Sequence, residues 1–265
     1  MLKKFIGLFV FLVAIFIYAN LANADIVPDG LVAYWSLDAD TIKGKDVEDG
    51  IGENDGVLNG KPKEVAGKIN GALEFDGVSS VDIVGTDDLN FNLKEELTVA
   101  AWIKAAEDVP VGSPAAAGCC GTIVAQRDAN GWALRFDGRN PGSEFEFIVC
   151  PNWQGDGGFG APQTGVKVGE WHYITGVVNV KTMLLYLDGE LIIEGPFGGP
   201  ITSVGPETEI GKASDGAFIG TIDEVLIYNR ALEEKEIIQN FQSKRFFAVK
   251  ITDKLASCWG KIKGK

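Results

Sequence analysis

The sequence predicts an all-β fold, an antiparallel β-sandwich with one short C-terminal helix. Three observations lead to this prediction. Short stretches of alternating apolar and polar residues recur along the chain, with turn-forming residues between them. Asp-Gly pairs end or join several stretches, and glycine tolerates the positive φ that tight hairpin turns require. Only one stretch has a convincing helical pattern, which excludes folds built from parallel βαβ units.

Twelve stretches have the length and pattern of strands. The clearest hairpin is LLYLDGELII, in which the Asp188-Gly189 pair separates two apolar runs. TVAAWIK and TMLLYLD are apolar on both faces, which is typical of a sheet that is covered on both sides or that contacts a ligand or loop. The predicted strands lie near residues 31–36, 71–76, 79–84, 97–104, 121–127, 131–137, 144–149, 171–179, 183–188, 190–195, 207–211 and 217–229.

The last predicted strand contains the acidic pair Asp223-Glu224 and leads into the helix. Adjacent strand residues point to opposite faces, so the two carboxylates are predicted not to share a site. A buried Asp223 needs hydrogen bonds, an opposite charge or a cation, whereas Glu224 is predicted to be a surface or inter-sheet residue. The helix follows Arg230, and its apolar face consists of Leu232, Ile237, Ile238 and Phe241.

The first 24 residues have the pattern of an export signal. Lys3 and Lys4 precede an apolar run from Phe5 to Ala19, and Ala22-Asn23-Ala24 provides a small-x-small cleavage pattern. The predicted organisation is therefore a signal peptide (1–24), one domain (25–243) and a basic tail (244–265), in a protein that is secreted, periplasmic or on the cell surface. An uncleaved anchor is the alternative.

The predicted domain is strongly acidic. The full chain has a formal charge of −13. Without the first 24 residues, which contain Lys3 and Lys4, the charge is −15. The tail 244–265 has a charge of +6, so the domain 25–243 alone has a charge of −21. This charge disfavours nucleic acid as a partner and suits cations or neutral ligands.

The exported chain has four cysteines, which makes disulfides plausible. We expect Cys119 or Cys120 to pair with Cys150, because these residues flank predicted neighbouring strands. A bond between Cys119 and its neighbour Cys120 is disfavoured because it strains the backbone. Cys258 stands apart in the tail and is the cysteine most suited to remain free or to pair with another chain.

The order of several segments resembles LamG-like jellyroll domains of the concanavalin A-like lectin/glucanase superfamily. These segments are AYWSLDAD, NDGVLNG, GKINGALEFDGVSSVDI, LTVAAWIKA, GEWHYITGVVN, LLYLDGELI and GTIDEVLIYNRALEEKEI. The resemblance covers about residues 31–241 and implies two antiparallel sheets packed as a jellyroll. It also implies a binding or adhesion module more often than an enzyme.

The resemblance implies a structural calcium ion where the N-terminal region meets the last strand. Calcium prefers six to eight oxygen ligands, and acidic residues are concentrated in the early part of the chain. The alternative is a solvated acidic loop, with Asp223 bonded to backbone amides or to Arg230. The predicted calcium ligands are Asp38, Asp46, Asn54, Asp55 and Asp223.

Carbohydrate binding is the preferred function, because sugar recognition usually combines an aromatic platform with planar polar groups. The glycine-rich stretch 150–166 offers Trp153 beside amide side chains, and a neighbouring hairpin adds two further candidates. Trp35, Trp102 and Trp171 lie in predicted strands and are assigned to the core. The predicted ligand-binding residues are Asn152, Trp153, Gln154, Arg127 and Trp132. The alternative is a protein-binding or structural envelope module without a sugar site.

Catalysis is not predicted. A glycoside hydrolase needs two suitably spaced carboxyl groups, and the chain lacks the Glu-x-Asp-x-x-Glu motif of related jellyroll glucanases. The single histidine, His172, is predicted to be structural.

The basic tail lies outside the resemblance. Ile251, Leu255, Trp259 and Ile262 recur at three- and four-residue steps, which places them on one face of a helix. Such a segment suits an anionic membrane or a partner, but a loose terminus or packing on the acidic domain is preferred.

Overall fold

A computed structural model describes residues 25–106, 116–118, 120–128, 130–137, 144–151, 159–162, 166–203, 205–214 and 216–244. Within these residues the chain forms two antiparallel sheets, one 3₁₀ helix (Asp87–Leu89) and one α-helix, α1 (Glu234–Gln242). The predicted β-sandwich with a short C-terminal helix is therefore confirmed. In the described part of the chain, no helix is long and apolar enough to cross a membrane.

The strands, in chain order, are β1 (Leu31–Trp35), β2 (Ile42–Lys43), β3 (Asp46–Val47), β4 (Gly56–Asn59), β5 (Lys63–Ala66), β6 (Gly71–Asp76), β7 (Ser80–Ile83), β8 (Glu96–Ala105), β9 (Ala116–Gly118), β10 (Cys120–Asp128), β11 (Asn130–Asp137), β12 (Glu144–Val149), β13 (Phe159–Pro162), β14 (His172–Asn179), β15 (Thr182–Leu187), β16 (Glu190–Pro196), β17 (Thr208–Ile210), β18 (Lys212–Ala213) and β19 (Gly216–Tyr228). Each of the twelve predicted stretches corresponds to one of these strands. The short strands between residues 42 and 66, and also β9, β13 and β18, were not predicted.

Sheet 1 has the order β16-β15-β14-β8-β19-β6-β5, and β1, β9 and β18 also pair with β19. Sheet 2 has the order β13-β12-β11-β10-β17-β7-β4-β3-β2. The predicted hairpin joins β15 to β16, and Asp188 and Gly189 have the positive φ values of its turn.

The main core lies between the sheets. Alternate residues of β8, such as Val99 and Ile103, face sheet 2 and pack with Trp132 and Phe147. Gly176 of β14 lies so close to Phe147 that an added Cβ would be 2.5 Å from the ring. This contact requires a residue without a side chain.

A second apolar layer covers the outer face of sheet 1. Ile237 of α1 packs here with Trp102, Tyr173 and Leu226. This layer explains why β8 and β15 are apolar on both faces. One face packs on sheet 2, and the helix and the N-terminal segment cover the other face.

The start of α1 is fixed by charge-assisted hydrogen bonds. Both Arg230 amino groups donate to the Glu236 carboxylate, at 2.8 and 2.9 Å. The same carboxylate accepts the Glu233 amide at 2.8 Å. Glu236 therefore caps the helix and ties it to the end of β19.

The predicted disulfide between Cys119 or Cys120 and Cys150 is wrong. Cys150 is buried and has a free thiol. Register explains why: Cys120 is opposite Asp137, Asp137 is opposite Glu144, and Cys150 lies six residues beyond Glu144. Six strand residues span about 20 Å, far more than a disulfide can bridge.

His172 has the structural role predicted for it. Its Nδ1 lies 2.8 Å from Asp188 Oδ2, and its Nε2 accepts the Lys167 amide at 3.0 Å. Among the tryptophans assigned to the core, Trp35 and Trp102 are buried and Trp171 is half-buried.

Candidate functional site

The outer face of sheet 2 has a groove of about 450 Å³ above β7, β10 and β17. Strand alternation explains its polarity, because Val81 and Ile210 point into the core while Asp82 and Glu209 point outward. Asp82 and Glu209 are directly opposite each other on β7 and β17. The groove, called the Asp82 groove below, is lined by Asp82, Ile83, Val84, Gln126, Gly205, Glu207, Thr208, Glu209, Lys212, Ala213 and Ser214.

Hydrogen bonds hold the polar groups of the Asp82 groove in place. Asp82 Oδ1 accepts the Ser80 hydroxyl at 2.6 Å, and Oδ2 accepts the Asn59 amide at 3.2 Å. Gln126 Nε2 donates to Thr208 Oγ1 at 3.0 Å and to the Leu89 carbonyl at 2.7 Å. Asp82 therefore presents its carboxylate at a fixed position to a ligand, whereas Gln126 and Thr208 are buried and stabilise the wall of the groove.

The lining combines carboxylates, hydroxyls and one lysine with an apolar area that is larger than the polar area. Val84, which is 78% exposed, forms part of this apolar area. A concave surface with several directed acceptors next to apolar atoms suits a small polyhydroxylated ligand. No aromatic residue is among the described residues that line the groove.

The structure tests the predicted sugar-binding residues only in part. Arg127 belongs to β10, next to Gln126, and its side chain lies outside the described atoms. Asn152, Trp153 and Gln154 also lie outside the described residues. Their role stays a prediction.

The assignment of Trp132 to ligand binding is wrong. Its side chain is 0% exposed and packs in the core, with its ring edge-to-face against Phe91 at 6.3 Å. Its Nε1 donates to Gln126 Oε1 at 2.9 Å. Trp132 therefore supports the floor of the Asp82 groove from below and offers no ring face to a ligand.

The second polar site is buried on the outer face of sheet 1, where the regular pairing of β19 with β8 is interrupted. The register shifts between Asp223 and Leu226, and Glu224 has a φ of +53°, which indicates a β-bulge. Both acidic side chains are buried, Asp223 at 0% and Glu224 at 1% exposure. The prediction that Glu224 is a surface or inter-sheet residue on the face opposite Asp223 is wrong, because the bulge breaks the alternation on which it was based.

We call Tyr34, Asp38, Asp223 and Glu224 the Asp223 cluster. Asp223 Oδ2 accepts the backbone amides of Lys68 and Ile69, at 2.8 and 3.1 Å. Glu224 Oε2 accepts the Tyr34 hydroxyl at 2.6 Å. Asp223 Oδ1 and Glu224 Oε1 have no hydrogen-bond partner among the described residues.

Burial determines the protonation of the Asp223 cluster. It raises the pKa of Asp223 to about 8, and Asp38 adds to the increase, while the two amides oppose it. Burial and then the charge of Asp223 raise the pKa of Glu224 well above its usual range. Burial and Glu224 raise the pKa of Tyr34, which therefore stays a hydrogen-bond donor.

The five predicted calcium ligands do not form a single site. Asp38 and Asp223 are neighbours at the 66–71 hairpin, where Asp38 accepts the Gly71 amide at 2.6 Å. Asn54 and Asp55 instead bond to Asp49, while Asp46 is exposed in β3. Across the described ranges, no group of three or more His, Cys, Asp or Glu side chains is arranged to hold a metal ion.

Sequence reasoning missed the role of Tyr34 and the groove residues Asp82 and Glu209. The alternation in SVDI and TEI already predicts one outward acidic residue in each segment. The missing information was that β7 and β17, about 130 residues apart in the chain, are neighbours in the sheet.

A family model described as the concanavalin A-like lectin/glucanases superfamily matches residues 76–238, more than half of the chain. The chain belongs to this superfamily. The match confirms the resemblance recognised in the sequence, and it includes the bulged part of β19 and all of the residues that line the Asp82 groove. No curated protein matches the sequence of this concanavalin A-like domain.

Several solved structures share the fold of the concanavalin A-like domain. Domain 4 of AbnA, a GH43 extracellular arabinanase from Geobacillus stearothermophilus, solved in complex with arabinotriose, is 18% identical with a TM-score of 0.58, over 79% of this chain and 97% of that chain. The binding domain of botulinum neurotoxin DC, in complex with SialylT, is 15% identical with a TM-score of 0.57, over 83% of this chain and 52% of that chain. Trypanosoma rangeli sialidase, in complex with the inhibitor DANA, is 16% identical with a TM-score of 0.55, over 83% of this chain and 34% of that chain. At these identities the similarity shows a shared fold.

Proposed function

We propose that the protein is an exported, non-catalytic carbohydrate-binding module and that its ligand binds in the Asp82 groove. The observation that carries the proposal is the groove itself, in which Asp82, held by two hydrogen bonds, lies opposite Glu209 beside exposed apolar atoms. Carboxylate oxygens accept hydrogen bonds from sugar hydroxyls, and the apolar atoms contact the C–H surface of a sugar ring. The arabinanase domain with bound arabinotriose supports a saccharide ligand for this fold.

Glycan-array screening followed by calorimetry tests the proposal. We expect a neutral oligosaccharide to bind, and Asp82→Asn and Glu209→Gln to weaken binding at least tenfold, since each removes a charged acceptor worth about 1.5–3 kcal/mol. Glu64→Gln is the matched control, because Glu64 is an exposed carboxylate on β5 of the other sheet. Binding that is equal in all three variants would show that the ligand binds elsewhere. Release of new reducing ends from the bound glycan would contradict the non-catalytic assignment.

A protein ligand is the second candidate, favoured by the exposure of Val57 and Val84 on the outer face of sheet 2. Replacing Val57 with serine should leave sugar affinity within about twofold, because Val57 does not line the Asp82 groove. If this variant instead loses an extracellular protein partner while the array stays blank, the adhesion function replaces the sugar-binding function.

Calcium is proposed only for the neighbourhood of Asp38 and Asp223. Its support is the buried, unpartnered Asp223 Oδ1, the type of hard oxygen that calcium prefers. Backbone carbonyls would have to supply most of the remaining ligands. The test measures the melting temperature of the unmodified chain and of Asp223→Asn, each in excess calcium and in chelator. We expect calcium to raise the melting temperature of the unmodified chain and not that of the variant. Equal melting temperatures of the unmodified chain in calcium and in chelator would remove calcium from the proposal.

Export is proposed from the signal-like residues 1–24. N-terminal sequencing of protein recovered outside the cytoplasm should begin at Asp25, and an intact Met1 would indicate an uncleaved anchor instead.

A further inference from the structure

The lining of the Asp82 groove has an excess of negative charge. Asp82, Glu207 and Glu209 contribute three carboxylates and Lys212 contributes one ammonium group, so the described lining has a formal charge of −2. The domain as a whole, residues 25–243, has a formal charge of −21. The electrostatic potential in the groove is therefore negative, both from its own residues and from the rest of the domain.

Strand register brings these carboxylates close together. Asp82 of β7 is directly opposite Glu209 of β17, and directly opposite residues have their Cβ atoms about 4.5–5.5 Å apart. Glu207, just before β17, lines the same groove, while Thr208 between the two glutamates is buried. Like charges directly opposite each other destabilise a sheet, and a cation bound between Asp82 and Glu209 reduces this repulsion.

Asp82 keeps part of its hydrogen-bonding capacity for a ligand. A carboxylate accepts about four hydrogen bonds, and Asp82 accepts two, from the Ser80 hydroxyl and the Asn59 amide. An alkylammonium group has three donors and no acceptor, so every one of its N–H groups can donate to such a lining. A sugar hydroxyl has one donor and also carries lone pairs, which gain nothing from a carboxylate.

We propose that the preferred saccharide of the Asp82 groove contains amino sugars with free, protonated amines. This inference rests on the proposed function of the groove as a sugar-binding site. The ammonium group binds between Asp82 and Glu209, and the C–H surface of the ring contacts the apolar part of the lining at Val84. An N-acetylated sugar retains the ring contact without the charge pair, whereas a sugar acid is repelled.

Calorimetry with two matched ligands tests the preference. The ligands are the tetramer of β-1,4-linked glucosamine and its fully N-acetylated form, both at pH 6 and low ionic strength. We expect the free-amine tetramer to bind about tenfold more tightly, because each partly exposed ammonium–carboxylate pair increases affinity by up to about fivefold. Added salt should reduce this affinity ratio, since it screens exposed charges.

The affinity ratio is then measured in variants. Glu207→Gln and Asp82→Asn each remove one carboxylate and should each lower the ratio by about threefold. Glu207 is exposed, so its replacement should not disturb folding. Glu64→Gln, on β5 of the other sheet, is the matched control and should keep the full ratio. Because each ratio compares two ligands on one variant, a general change in affinity does not affect it.

Four results would overturn the inference: equal affinity for the two tetramers, tighter binding of the acetylated form, no binding of either, or the same ratio in Glu207→Gln and Glu64→Gln. The proposed function survives each of these results if a neutral glycan from the array binds and Asp82→Asn weakens its binding. If no glycan of any charge binds, both the inference and the proposed function fail.

A tetralysine peptide separates saccharide recognition from attraction to charge alone. We expect it to bind more weakly than the free-amine tetramer, because it has no sugar ring to contact the apolar lining. Equal or tighter binding of the peptide would overturn the amino-sugar preference and indicate a basic peptide as the ligand.

Discussion

We expect Asp223→Asn to remove part of the loss of stability that the domain shows between about pH 5 and pH 8 in the presence of chelator. The carboxyl group is fully buried, and its pKa is raised to about 8 in the folded protein from an ordinary value of 3.8. In this window the folded state holds a proton that the unfolded chain has released. The free energy of unfolding therefore falls as pH rises, by up to about 1.4 kcal/mol per pH unit, and levels off above the folded-state pKa.

Asparagine has the shape of the protonated carboxyl group and no charge. Its oxygen can still accept the amides of Lys68 and Ile69, as Asp223 Oδ2 does. The variant should match the unmodified protein near pH 5 and exceed its stability near pH 9, where the unmodified protein must bury a carboxylate.

Urea unfolding followed by tryptophan fluorescence, at several pH values from 5 to 9, measures this effect. Asp40→Asn is the control because Asp40 is exposed, and it should retain the full slope. The reasoning fails if Asp223→Asn has the same pH dependence as the control, or if the stability of the unmodified protein rises between pH 5 and pH 8. Glu224→Gln should remove a separate part of the slope, since burial also raises the pKa of Glu224.

Three further predictions concern the two sheets. Arg135→Leu removes the positive charge 3.0 Å from the buried Glu146 and should reduce the free energy of unfolding by 3–5 kcal/mol. Adding Glu146→Leu should recover most of this loss in urea unfolding, and equal losses in both variants would contradict the charge-burial argument. Gly176→Ala places a methyl group 2.5 Å from the Phe147 ring and should lower stability by about 1–3 kcal/mol, which an unchanged urea midpoint would refute. The Cys150 thiol is free and buried, so a maleimide should label it only after the protein is unfolded in the absence of reductant. Labelling is measured by mass spectrometry, and an unlabelled Cys150 peptide from the unfolded protein would contradict a free thiol.

The sheet framework was predictable because its signals are local. Alternation and Asp-Gly turns predicted the strands, including the hairpin through Asp188 and Gly189. The inward position of Trp132 was also predictable, because Trp132, Leu134 and Phe136 alternate along β11 and therefore point to the same face. Trp132 was assigned to ligand binding because its hairpin was taken to lie beside the stretch 150–166, although its position in the strand places it in the core.

The candidate site was less predictable because its contacts are between distant parts of the chain. The Asp223–Leu226 bulge is defined only by the pairing of β19 with β8, so the sequence alone gave regular alternation and the wrong face for Glu224. The disulfide prediction failed for a similar reason. It took the strands that these cysteines flank as neighbours, whereas β11 lies between β10 and β12 and the register separates Cys120 from Cys150 along the strands.

The position of β19 has a consequence for the order in which the domain can fold. This strand pairs with β8 through most of its length, with β6 through residues 219–222 and with β1 through residues 225–228. Until β19 is present, β8 and β6 each have an unpaired edge, and the partner of β1 lies almost 200 residues later in the chain. Such long-range closure is slow and exposes edges that can aggregate. If the chain is exported N-terminus first, as proposed above, sheet 1 can be completed only after almost the whole domain has crossed. Truncation before Gly216 should leave two unjoined half-sheets.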